Sequence, residues 1–146
     1  MKIKKKTVNY VNNLDLVKAI LDWQSSCRAA EEKYCQLHGL TVIASKETRE
    51  NCWPIIPDYI GKCIMQICNN LSHRYNFGSY TYRDEFVSDG LEACLKAVKS
   101  FDITKTDKAF NYLTQVAYHS FVRRINIEST QHALKHKNYQ NFENYC

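Results

Sequence analysis

The sequence predicts an all-α fold, a compact helical domain with an N-terminal helix and a short C-terminal tail. Only four Gly and two Pro occur in 146 residues, too few for a turn-rich β architecture. Apolar residues recur at three- and four-residue spacing in four separate stretches. A hydrophobic content of 45% with 24% charge suits one buried core, and the length suits one domain rather than two.

The formal charge is +5, and four lysines stand in the opening "MKIKKK". Residues 1–13 therefore read as a basic flexible arm, able to add nonspecific attraction to nucleic acid. Asn13 is suited to cap a first helix over residues 14–37, where Leu16, Val17, Ile20, Trp23, Cys27, Ala30 and Tyr34 recur at helical spacing until His38-Gly39 supplies a stop. Residues 40–56 hold mixed charge without sustained period and read as a connector, with "LTVIA" fitting a short extended piece.

Pro57 and Asp58 suit the first turn of a second helix, whose stripe is Ile60, Ile64, Ile67, Leu71 and Tyr75. "NFGSYTYRDE" then turns the chain, and Asp84 and Glu85 enrich the start of a third helix over residues 83–100. At 100° per residue, Val87, Leu91, Cys94, Val98 and Phe101 project to one side and Glu85, Asp89 and Glu92 to the other, with Ser88 and Leu95 on the shoulder. Spacing alone makes the acidic stripe a solvated face.

Residues 102–108 link to a fourth helix reaching Glu128. Its inward stripe is Phe110, Leu113, Ala117, Phe121 and Ile125. Tyr112, Gln115, His119 and Arg123 fall outside, with Val116 beside them and Arg124 at the helix end. Aromatic rings can stack on unpaired bases, Gln and His can bond base edges, and Arg can fork onto phosphate. The same residue types also populate protein interfaces. Residues 129–146 read as a tail in which a short helix fits, with His132 and His136 as surface histidines.

Seven cysteines, an odd number, sit largely on inward positions, Cys27 and Cys94 most clearly, and read as free structural thiols. No two cysteine pairs have zinc spacing; Cys63, Cys68 and His73 come nearest, so neither a metal nor another cofactor is expected. No nucleophile–base set and no phosphate-binding glycine loop can be named, which argues against an enzyme. No apolar run has the length of a membrane span and no signal-peptide core follows the lysines, so a cytoplasmic protein without a membrane partner is expected.

The run "EFVSDGLEACLKAVKSFD", followed by "AFNYLTQVAYHSFVRRI", resembles conserved region 2 of bacterial sigma factors. The match passes through Gly90, Leu95, Lys96-Ala97-Val98 and Phe101-Asp102, with one residue inserted before Phe110. The chain is most similar to the late-transcription sigma factors of T-even-type bacteriophages, in which "NYVNN" and an "LxxAILDW" helix precede the same series of motifs. The resemblance covers the front helix and residues 57–128 and implies a sigma-region-2-like domain over residues 14–128.

Function is implied residue by residue. The resemblance implies a promoter-specificity subunit that docks on the clamp coiled coil of bacterial or phage-modified RNA polymerase core, through Glu85, Ser88, Asp89, Leu91 and Leu95. It implies contact with an A·T-rich, −10-like element of promoter DNA through Tyr112, Gln115, Val116, His119, Arg123 and Arg124, with Tyr112 as the stacking wedge. Val116 and Ala117 replace a paired tryptophan of the family, which implies reliance on polymerase or on a further phage co-activator for strand opening. The setting would be the host cytoplasm, on the nucleoid. The eighteen residues after Glu128 are too few for the domain that reads a −35 element, and they show no equivalent of the apolar sliding-clamp motif that ends the T-even-type proteins. An adaptor that binds polymerase without reading DNA is the alternative, and a small helical enzyme the least supported.

Overall fold

A computed structural model describes residues 11–145. They form α1 (Asn13–His38), α2 (Lys46–Asn51), α3 (Asp58–Ser72), α4 (Arg83–Lys99) and α5 (Ala109–Tyr145), with no strand among the described residues. The expected all-α class is what the chain adopts. Of the arm expected over residues 1–13, residues 1–10 lie outside the described residues, while Val11 is buried, Asn12 caps α1 and Asn13 is already helical.

That cap corrects the expectation for Asn13. Asn12 Oδ1 accepts the Leu14 and Asp15 N–H groups, at 3.0 and 3.3 Å. Asn13 is thereby left to clamp a distant element: its Nδ2 donates to Asp107 O and its Oδ1 accepts the Phe110 N–H, both at 3.0 Å. A free N–H at the start of α5 is thus satisfied from α1. At the other end Gly39 adopts φ 63°, the left-handed conformation of a helix stop, as His38-Gly39 predicted.

The connector is not extended. Ser45 caps the six-residue α2, and "LTVIA" forms a bend that buries Ile43. Beyond α2, the Trp23 indole donates to Pro54 O at 3.1 Å and packs edge-on to Trp53, tying the connector to α1.

Ile60, Ile64, Ile67 and Leu71 of α3 are buried as expected, but the helix ends at Ser72 and Tyr75 is 97% exposed. The aromatic that enters the core from this turn is Phe77, edge-on to Phe86 and Phe121 at 5.5 and 5.1 Å. On α4 the buried positions are Phe86, Gly90, Cys94, Ala97 and Val98, so the inward face is rotated from the expected one and Val87 and Leu91 are only half-buried. The cause is Gly90. Without a Cβ it lets the Phe121 ring pack against α4 and stack on Phe86 at 5.0 Å.

The fourth predicted helix does not stop at residue 128. It continues as α5 to Tyr145, so the expected tail is helix, and every side chain from 129 to 145 is exposed. Among the described residues, no helix is long and apolar enough to cross a membrane.

Candidate nucleic-acid interface

The candidate site rests on the packed pair α4 and α5, joined by residues 100–108. The link is braced locally and from afar. The Asp102 carboxylate accepts the Thr104 N–H and hydroxyl at 2.9 and 2.7 Å, and these bonds hold Asp102 below the ordinary carboxylate range. Gln24 of α1 donates to Val98 O and Phe101 O at 3.0 and 2.9 Å. Together with the Asn13 clamp, these bonds set where α5 begins and which way its faces point.

Leu113, Ala117, Ser120 and Phe121 turn inward on α5, and Gln115, His119 and Arg123 are exposed in one row. Val116 is half-buried beside the row. Tyr112, expected fully outside, is half-buried because its ring lies against Phe101, with centroids 5.7 Å apart. That contact leaves Tyr112 partly exposed at the head of the row. Lys105 and Lys108 are exposed immediately before the helix and, among the described residues, take part in no salt bridge. Sequence reasoning missed both as candidate phosphate contacts; their place in the link directly before the aromatic-led helix was the available signal.

Arg124 is not part of the open row. Its guanidinium forks onto Asp89, Nε to Oδ2 at 2.6 Å and Nη2 to Oδ1 at 2.9 Å, and Nη1 reaches Glu128 at 3.4 Å. These carboxylates raise the Arg124 pKa further above its usual value. Two side chains expected on separate surfaces, Asp89 on one and Arg124 on the other, are each other's partner. A bidentate pair of this kind fixes the relative rotation of the two helices.

The remaining docking candidates keep a common side of α4. Glu85 and Ser88 are exposed, and Leu91 and Leu95 are half-buried, in line with Val87 at four-residue steps. Glu92, exposed and paired with Lys96 at 2.8 Å, extends the acidic margin. The result is an apolar ridge of Val87, Leu91 and Leu95 beside carboxylates.

Other features do not join the site. A cleft of about 510 Å³ between Trp23, Trp53, Phe101, Arg28 and Lys99 contains none of the row residues. His132 and His136 stand one turn apart on the exposed part of α5, and among the described residues no three of His, Cys, Asp and Glu come together in a way that would hold a metal ion. Cys27, Cys63, Cys68 and Cys94 are buried free thiols, as the inward stripes predicted, while Cys35 and Cys52 are half-buried. Compared with protein-family models and with curated proteins, the chain matches none.

Proposed function

We propose that the chain is a sigma-like specificity factor, docking on a basic helical element of RNA polymerase through α4 and contacting an opened, A·T-rich promoter element through α5. The observation that carries this reading is the row Gln115, His119 and Arg123, exposed and free of carboxylates, headed by the half-exposed ring of Tyr112. The Val87–Leu91–Leu95 ridge with Glu85, Ser88 and Glu92 supports the docking half, because a leucine ridge edged by acid complements a basic amphipathic helix. Tyr112 offers a stacking surface, Gln115 and His119 offer groups for base edges, and Arg123 with Lys105 and Lys108 offers positive charge for phosphates. Arg124 and Asp89 leave both contact lists and become the pin that holds the two surfaces in register. No chemical step is assigned.

Promoter-directed transcription with added polymerase core tests the reading. Stacking on one base contributes about 1–3 kcal/mol, so Tyr112→Ala should lower open-complex formation about tenfold while leaving polymerase binding intact. Tyr112→Phe keeps the ring and should preserve both. The packing of Tyr112 on Phe101 favours a second reading, in which α5 is a scaffold and the chain an adaptor. In that case polymerase is bound, start sites are not chosen, and Tyr112→Ala changes only stability.

A further inference from the structure

The face of α5 that packs on α4 continues past the point where α4 begins. The two helices run antiparallel: Gly90 of α4 meets Phe121, Cys94 Sγ lies 3.4 Å from Leu113 O, and Asp89 pairs with Arg124. Because α4 opens at Arg83, equal rise along the two helices lets it cover α5 no further than about residue 130. At 100° per residue Gln131, Leu134, Asn138, Phe142 and Tyr145 fall within a sector of about 80°, the sector that holds Leu113, Ser120 and Arg124 on the packed half. Beyond residue 130 that sector has no cover among the described residues, and Leu134, Phe142 and Tyr145 are 55, 69 and 92% exposed.

We infer that a second copy of this chain covers the stripe, the two distal helices pairing antiparallel about a two-fold axis at Asn138. The inference is independent of the function proposed above. The spacing of the stripe, three, four, four and three residues, reads the same in both directions from Asn138, so reversing one copy lays stripe on stripe. That register sets Leu134 against Phe142 of the second copy, Gln131 against its Tyr145, and Asn138 against its own counterpart, where a polar pair in the seam fixes register. The end of α4 sets the direction. In a parallel pair the two α4 ends would meet across the seam, whereas in the antiparallel pair each α4 ends just before the other copy's arm begins. Residues 126–145 hold Glu128 and Glu143 against Lys135 and Lys137, so the arms carry no net charge that would keep them apart.

The area decides how strong such a pair is. The exposed parts of Leu134, Phe142 and Tyr145 supply about 800 Å² from the two copies, and Gln131, Asn138 and the flanking Lys135 stem bring this to about 1,000 Å², the lower limit for a specific interface. The pair is therefore a monomer–dimer equilibrium that forms at high protein concentration, not a permanent dimer.

Sedimentation of the full chain over a concentration series tests this. The average mass should climb from monomer toward dimer and no further, because a two-fold pair closes on itself. Leu134→Asp should raise the dissociation constant at least about tenfold, since each pair would then bury two unpaired carboxylates. Gln140→Asp, on the opposite face, should leave it within about twofold, as surface substitutions do. Both positions are exposed in the single chain, so neither substitution disturbs the core. Oxidation by dissolved oxygen locates the axis: Asn138→Cys should give a dimer whose mapped cross-link joins position 138 to itself, and Gln140→Cys should give no such link at position 140. A chain that stays monomeric at every concentration, a dimer indifferent to Leu134→Asp, or equal self-linkage at positions 138 and 140 would each overturn the inference. So would a monomeric chain whose binding to polymerase core is lost in Leu134→Asp, because the stripe would then belong to that partner.

Discussion

Gly90 shows how one atom decides the contact between two helices. A Cβ there would meet Phe121 Cε1 at 2.8 Å and Cys68 Sγ at 3.1 Å, and the Phe121 ring is itself held between Phe86 and Phe77. Gly90→Ala should therefore destabilise the fold by about 1–3 kcal/mol, the usual range for overpacking, although Ala is the better helix former. Urea denaturation checks this, and a variant as stable as wild type would show that the interface can open freely. At the pin between α4 and α5, Arg124→Ala leaves the half-buried Asp89 without its bidentate partner. Stability should fall, and Asp89→Asn in the same chain should restore part of the loss, because the stranded charge is then gone.

At the scale of elements, α5 divides into a packed half and a projecting half. Residues 129–145 bury nothing, so a chain cut after Glu128 should keep its melting temperature within about 2 °C, since thermal stability follows the surface removed from water. A large drop would mean that the distal helix packs on the domain. The N-terminus of α5, by contrast, depends on α1. Asn13→Ala removes both side-chain bonds to Asp107 and Phe110 and should cost about 1–2 kcal/mol, the loss expected where helix-end groups lose their partners. Thermal unfolding of the variant measures it directly, and an unchanged transition would show that water satisfies the Phe110 N–H as well as Asn13 does. Because that clamp places the head of the outward row, the same variant should also weaken any activity that needs Tyr112.

For the whole molecule, one core binds α1, α3, α4 and α5, and its thiols impose a pH limit. Burial raises the pKa of Cys27 and Cys63, and the hydrogen bond with the Cys68 thiol together with burial raises that of Cys94, from the ordinary thiol value of 9.0. A raised folded value means that the native state keeps protons which the unfolded chain releases. Stability should then be constant with pH below 9 on this account and fall as pH rises above it. Asp102 acts in the opposite direction, its depressed value giving stability that is lost as pH falls below the ordinary carboxylate range. Denaturation midpoints measured from pH 7 to pH 10 test the alkaline limb. A midpoint that does not decline beyond pH 9 would mean that the thiols ionise equally in both states. Titration with a thiol reagent should be slow for Cys27, Cys63, Cys68 and Cys94 until the protein unfolds.

The sequence by itself determined where the main helices lie and, for α1, α3 and the first half of α5, which side chains turn inward. Their apolar positions repeat at the helical period, so local order carries the information. It also exposed the outward row Gln115, His119 and Arg123, because an uncharged or basic row on an amphipathic helix can be counted along the chain. Only the tertiary structure decided the rest. Whether Asn12 or Asn13 caps α1 depends on a partner 97 residues away, and the pairing of Asp89 with Arg124 joins residues 35 apart. The rotation of α4 depends on a ring from α5 filling the space that Gly90 leaves, where a period count ranks glycine as polar or neutral rather than buried. The residues after Glu128 read as a tail for lack of an apolar stripe, yet they extend a helix already nucleated and so need none. In each case the deciding interaction is non-local, and periodicity along the chain records only the interactions that are local.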